Sequence, residues 1–267
     1  MLQAKPVSIK LCSGPPVHLG VAAAPPASRR RVNARFERED SPLHPIPVPI
    51  ERASTVESPA PVRILTVCTG NICRSPVAER LLQAGLDQVL PGGFEVRSAG
   101  TRALVGDPVQ PPSADIIRTF GGTAEGFAAR QLTGKILRPV DLVLTMSSTH
   151  RGEVLQLDAS LLKRTFTIRE FARMLDVLQE RVTPPTGDSI QPGGNHHGDR
   201  ISANTELWRA LPARAASVRH LALAPEAADN DVVDPYRRSD DYYRQMEDEL
   251  APAIISVLRF ARLNVPS

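Results

Sequence analysis

Cysteine is scarce in this chain: three residues in 267. So small and odd a number does not build a disulfide framework in a chain of this length. The two that sit close together, Cys68 and Cys73, are therefore expected to serve reactivity rather than scaffolding. Long apolar runs are missing too. No stretch reaches the length of a membrane span, and the N-terminus lacks the uninterrupted apolar core of a secretory signal. The chain thus reads as cytoplasmic, with no membrane partner. A basic surplus is absent from most of the sequence. Of 32 Lys/Arg and 29 Asp/Glu, eight and five fall in residues 1–61, which leaves 24 of each for the remainder. A neutral body argues against a nucleic-acid partner, because affinity for a phosphate backbone needs a concentrated excess of basic side chains.

Proline is what the first segment has in quantity, with eleven of the chain's 25 in residues 1–61. Neither helical nor strand periodicity persists there, and the composition is that of a disordered Pro/Arg-rich tail. A targeting peptide is the second reading, since the first 36 residues contain no acid. The prolines oppose the amphipathic helix such a peptide needs.

From residue 62 the pattern changes. "VRILTV" (62–67), "FEVRS" (94–98), "DLVLTM" (141–146) and "RTFTI" (164–168) are short β-branched or apolar runs of strand length, separated by helical stretches. That alternation predicts an α/β domain over 62–267, with a four-stranded parallel sheet and helices on both faces. The first helix is expected from Pro76, burying Val77, Leu81 and Ala84, and a second over Ser113–Phe120, stopped by Gly121 and Gly122. A third opens at "TIRE", with Thr167 and Glu170 at capping-box spacing and apolar residues at Phe171, Met174, Leu175 and Leu178. The last runs from about Ser239, striped by Tyr243, Met246, Leu250, Ile254 and Val257, with Pro252 inside it. "TPPTGDSIQPGGNHHGD" (183–199) reads as a flexible insertion, seven of its 17 residues being Pro or Gly. Its His196 and His197 have no spaced third ligand, so no metal is expected. The helix after it should break near Pro212, and Trp208 should pack.

"VCTGNICRSP" (67–76) sits where the first strand gives way to the first helix, the place at which doubly wound sheets bind ligands. A helix N-terminus offers free N–H groups and a partial positive charge, so such a turn cradles an anion. Gly70 and Asn71 tolerate the partly left-handed backbone that a phosphate nest requires. Arg74, six residues after Cys68, can hold two phosphate oxygens with its planar fork. The same positive surroundings favour a thiolate at Cys68, a nucleophile aimed at phosphorus. A Cys and an Arg six apart are by themselves as consistent with a buried cysteine and a surface arginine. The preceding strand, the Gly-Asn turn and the Ser-Pro helix start set this pair apart.

"VCTGNICRSPVAE" (67–79) closely resembles the phosphate-binding loop of the low-molecular-weight protein tyrosine phosphatases. In that family's order follow "RSAGT" (97–101), similar to its second strand and turn, "DLVLTMSSTHR" (141–151), similar to its third strand and following loop, and "VVDPYR" (232–237), similar to its late acid loop. The resemblance spans 62 to about 264, and the insertion with the helical stretch behind it departs from the compact family pattern. It implies that Cys68 is the nucleophile forming a phosphocysteine, that Arg74 holds the phosphoryl oxygens, and that Asp234 is general acid and then general base. Thr69, Gly70, Asn71, Ile72, Cys73 and Ser75 would make up the substrate-binding loop, with Tyr236 as an aromatic wall. Ser75 would donate to Cys68, and Asn71 with Ser98 would brace the loop. His150 is given no catalytic role, and Asp229 and Asp231 are decoys not followed by proline. No cofactor is implied. The partner would be a phosphotyrosine-bearing protein, a tyrosine autokinase of polysaccharide export among the candidates.

Three other activities compete. An arsenate reductase on the same fold needs two further cysteines, whereas the body has none outside the loop and Cys12 lies in the tail. A protein arginine phosphatase is closer, but related enzymes of that specificity carry threonine where this chain has Ile72. A non-enzymatic phosphoprotein-binding module would dispense with Cys68, Arg74 or Asp234, and all three are present. A redox role is also expected for the loop: Cys73 would capture an oxidised Cys68 as a disulfide, the alternative being a small apolar side chain that only packs.

Overall fold

A computed structural model of the protein describes residues 60–181 and 197–265. The expectations about the tail, Cys12 and most of the insertion lie outside these residues. Four strands, β1 (Val62–Cys68), β2 (Phe94–Gly100), β3 (Leu142–Thr145) and β4 (Thr165–Thr167), form one sheet in the order β2-β1-β3-β4, all pairs parallel. β1 shows why. Its side chains alternate between two apolar clusters, Ile64 and Cys68 facing one and Leu65 and Val67 the other, and six of its seven residues are buried. A strand covered on both faces is the normal state in a parallel sheet.

The larger cluster lies under α1 (Arg74–Val89), α2 (Pro111–Thr119), α5 (Ile168–Arg181), α6 (His197–Ser217) and α7 (Asp240–Leu263). The smaller lies under the one-turn α3 (Gly134–Leu137) and α4 (Ser148–Leu157). Helices thus cover both faces, as expected. The stripes expected for α5 and α7 are buried, and Glu170 N–H bonds Thr167 Oγ1 at 3.3 Å, the forward half of the expected box. Among the described residues no helix is long and apolar enough to cross a membrane.

Several boundaries differ from the sequence reading. α1 starts at Arg74, so Pro76 is its third residue; that position is still within the first turn, where a missing N–H breaks no helical bond. α2 likewise starts earlier, on Pro111 and Pro112. The segment after β3, expected as a loop, is the helix α4, capped by Ser147 Oγ, which accepts from His150 N–H. α6 begins at His197, inside the expected insertion, and runs through Pro212 without a break. Pro212 deprives the Trp208 carbonyl of its helical partner, yet Trp208, Leu211 and Pro212 are all buried there. Trp208 packs edge-on against Phe94 and Phe260, with centroids 5.0 and 6.1 Å away, so packing outweighs the lost bond.

The sheet order places the topological switch between β1 and β3, since the chain leaves β1 toward β2 on one side and reaches β3 on the other. Cys68 ends β1 beside that crevice.

Candidate active site

Residues 68–75 curl from the end of β1 into α1. The carbonyls of Cys68, Thr69, Gly70 and Ile72 accept from the N–H groups of Thr101, Arg102, Leu104 and Gln110 at 2.8–3.0 Å, all in the segment after β2. With its oxygens turned outward, the loop is left with N–H groups to face an anion. Asn71 takes the left-handed backbone, φ 56°, that makes the curl. Gly100 passes so close beneath that a Cβ there would lie 2.4 Å from the Thr69 carbonyl oxygen, which is why β2 ends on glycine.

A chain of buried hydrogen bonds supports the loop from below, and its polarity is fixed. Asn71 Oδ1 accepts from Arg130 N–H at 2.9 Å, which orients the amide. Asn71 Nδ2 then donates to Ser75 Oγ at 3.0 Å and to Ser98 Oγ at 2.8 Å. Ser98 passes its own proton to the Glu79 carboxylate. Ser75 Oγ, already accepting from Asn71, has its proton free for Cys68 Sγ at 3.0 Å. Such a donor favours the thiolate and eases its departure from phosphorus.

Across the loop, Val232–Tyr236 arrives from far along the chain. Val232 N–H bonds the Met146 carbonyl at 2.8 Å at the end of β3, and Val233 N–H bonds Glu249 Oε2 of α7 at 2.7 Å. These bonds bring Asp234 to Arg74, Oδ2 to Nη2 2.7 Å, while Arg74 Nη1 donates to the Val232 carbonyl at 3.2 Å. Cys68, Thr69, Gly70, Ile72, Cys73, Arg74, Arg102, Leu104, Asp234 and Tyr236 line one pocket of about 130 Å³. A larger, more open cleft of about 700 Å³ lies against α1 and β2 and shares none of these lining residues.

The expected residues therefore converge. Within the substrate-binding loop the side chains of Asn71 and Ser75 are fully buried and do not line the pocket; they take the bracing and Cys68-donating places expected of them. Ile72 lines the pocket but is only 2 % exposed. The two neighbouring aspartates serve structure: Asp231 Oδ1 accepts from Ser148 N–H and Oγ at the start of α4, and Asp229 caps a turn with Glu226.

Three residues outside the expected catalytic and binding set belong to the site. Glu79 terminates the buried chain; it stands one turn after Ser75 on the same helix face, a charge on a buried stripe that sequence spacing could have flagged. Arg102 lines the pocket and pairs with Glu153 at 3.0 Å. His150 is buried, with Nδ1 2.7 Å from Ser147 Oγ and Nε2 2.8 Å from Thr69 Oγ1. Burial, reinforced by the charges of Arg74 and Arg102, pushes its imidazole down to about 3, so it is neutral. Burial also pushes the Cys73 thiol up to about 12, the Tyr243 hydroxyl lying 3.9 Å from its sulfur.

Comparison with known proteins identifies the family. The model of the low molecular weight phosphotyrosine protein phosphatase family matches residues 63–192, ending before the Asp234 segment. The low molecular weight protein-tyrosine-phosphatase Etp of Escherichia coli K12 is 38% identical over 145 residues, 54% of this chain and 90% of Etp. Wzb of the same strain, also named a low molecular weight protein-tyrosine-phosphatase, is 44% identical over 87 residues, 33% of this chain and 56% of Wzb. Among solved structures, a YwlE mutant from Bacillus subtilis aligns over 74% of this chain and 97% of its own, at 22% identity and a TM-score of 0.48. With 90% of Etp covered at 38% identity, the chain belongs to the low molecular weight phosphotyrosine protein phosphatase family.

Proposed function

We infer that the protein is a protein tyrosine phosphatase that works through a phosphocysteine. The observation that carries this reading is the meeting, in one small pocket, of Cys68 with its Ser75 donor at 3.0 Å and of Arg74 with Asp234 at 2.7 Å. A phosphoryl group seated on the loop N–H groups competes for the Arg74 fork and releases the Asp234 carboxyl to face the leaving oxygen. In the first step the Cys68 thiolate attacks phosphorus, the S–P bond forms, the P–O bond to tyrosine breaks, and Asp234 gives its proton to the phenolate. In the second, water attacks phosphorus, Asp234 takes a proton from it, and the S–P bond breaks to return thiolate and inorganic phosphate. No step calls for a metal, because the amides and Arg74 supply the positive charge.

Tyr236, Leu104 and the largely buried Ile72 line the pocket and give it apolar walls suited to an aromatic ring. The substrate is then a phosphotyrosine-bearing protein, with an autophosphorylated tyrosine kinase as the candidate partner. The test is hydrolysis of phosphotyrosine, phosphoarginine and phosphoserine peptides side by side by the purified protein, repeated with Ile72→Thr. Phosphotyrosine should be strongly preferred; preference for phosphoarginine would overturn the assignment. A swing toward phosphoarginine in the variant would assign the choice to Ile72.

A further inference from the structure

His150 lies outside the expected catalytic set, yet it is 4 % exposed and bonded through both ring nitrogens. Which nitrogen carries the proton follows from counting hydrogens. Ser147 Oγ already accepts the N-cap bond from His150 N–H at 3.2 Å. If His150 Nδ1 were also a donor to Ser147 Oγ, the buried serine hydroxyl proton would be left without an acceptor among the described contacts, which is unfavourable. If instead Ser147 donates to Nδ1 at 2.7 Å, the buried serine proton has its acceptor, the hydroxyl proton left over is that of half-exposed Thr69 at the pocket, and a neutral ring must carry its hydrogen on Nε2. Nε2–H then donates to Thr69 Oγ1 at 2.8 Å. The Thr69 hydroxyl, its oxygen engaged as an acceptor, keeps its own proton to give to the pocket that Thr69 lines.

We propose that His150 is a positioning residue that, relayed from Ser147, fixes Thr69 as a hydrogen-bond donor to the bound phosphoryl group. With the opposite tautomer Thr69 would spend its proton on Nε2 and offer the anion only oxygen lone pairs, so the direction of the relay decides whether Thr69 attracts or repels phosphate. α4 is suited to the task because the same helix touches two other walls of the site. Glu153, one turn on from His150, holds Arg102 at 3.0 Å, and Ser148 holds Asp231 before the acid loop at 2.7 and 2.9 Å.

The inference rests on the phosphatase reading, and two measurements separate its failure from that of the reading. The first needs no activity: nitrogen NMR of the wild-type imidazole should show a protonated Nε2 and an unprotonated Nδ1, and the reverse pattern overturns the proposal. The second is a double-mutant cycle on phosphotyrosine hydrolysis, with inorganic phosphate as competitive inhibitor. Thr69→Val and His150→Leu should each lower kcat/KM about tenfold or more and weaken phosphate inhibition, as loss of a hydrogen bond to a charged group does. The double variant should be no worse than Thr69→Val, and His150→Gln, whose amide can still donate to Thr69, should recover most of the loss. Losses that multiply, or a His150→Gln as poor as His150→Leu, overturn it. If His150→Leu does not fold, the NMR pattern and the His150→Gln comparison decide. A wild type inactive on every phosphopeptide but with the Nε2 proton in place counts against the phosphatase reading instead.

Discussion

Arg74 and Asp234 approach to 2.7 Å, yet the arginine side chain is 6 % exposed and the aspartate 48 %. The contrast runs through the regions they come from. The 68–75 loop is continuous in sequence, its carbonyls tied outward and its underside held by the buried chain from Asn71 to Glu79. The acid loop comes about 160 residues later; its backbone is anchored at its entry through Asp231, Val232 and Val233, Tyr236 is half-buried against the core, and Asp234 is exposed, tied to the site by its pairing with Arg74. A group that stabilises charge must be in place before the charge develops, because reorganising it during the reaction costs what it would gain. A group that shuttles a proton must reach both a departing side chain and incoming water.

The comparison breaks first at Cys68. Cys68→Ser should reduce phosphotyrosine turnover by on the order of 10³-fold or more while phosphate still binds, since a serine hydroxyl at neutral pH is a poor nucleophile and the loop amides are untouched. Phosphate-binding calorimetry beside the kinetic assay checks both halves; substantial residual turnover would remove the covalent step. Asp234→Ala comes next, at about 10²-fold with phosphotyrosine. That loss should shrink with more acidic leaving groups, which depart without a proton. Asp231→Ala should instead give a loss independent of the leaving group, because Asp231 anchors Ser148 rather than reaching the pocket. A leaving-group-dependent loss at Asp231 would mean the acid has been misassigned.

The two regions also differ in how far sequence alone reveals them. The four strands and the stripes of α5 and α7 are legible because their signals are local: alternation or a 3.6-residue repeat within a few turns. α4 has only His150 and Val154 buried among its ten residues, too few to make a stripe, and so it reads as a loop. α6 reads as broken at Pro212 because proline announces its lost hydrogen bond, whereas the aromatic packing of Trp208 involves Phe94 and Phe260 from distant segments. His150 escapes for the same reason: its partner Thr69 is 81 residues away. Asp234 is legible only through its Pro-Tyr context in a family pattern, since no nearby spacing links it to Arg74.

A smaller effect separates burial from charge. The unfolded chain protonates His150 near pH 6.5, while burial together with Arg74 and Arg102 keeps it neutral in the fold down to about 3. Between those values the unfolded state binds more protons, so stability falls as the pH drops through this window. By pH 4 the wild type should have lost on the order of 3 kcal/mol more than His150→Gln, which has no such group. Denaturant unfolding of both proteins at pH 7 and pH 4 measures the difference; equal losses would mean His150 is not held neutral.

The subtlest test concerns the second cysteine of the loop, which we propose protects the first. Peroxide converts the Cys68 thiolate to a sulfenic acid, and Cys73 captures it: the new S–S bond forms as the sulfenic hydroxyl leaves with the Cys73 proton as water. Both cysteines line the same pocket. Burial opposes the step, because a thiol pushed up to about 12 is almost entirely protonated at neutral pH. The negative charge of Cys68 contributes to that shift, and it disappears once the sulfur is oxidised. Capture should therefore be slow at pH 7 and speed up toward pH 9, as the Cys73 thiolate fraction rises about tenfold per pH unit. After a brief peroxide pulse and dithiol treatment, the fraction of starting activity recovered by the wild type should rise over that range. Cys73→Ala should recover little at any pH. Equal recovery by the two proteins, or a wild-type recovery independent of pH, would leave Cys73 a packing residue at the N-terminus of α1.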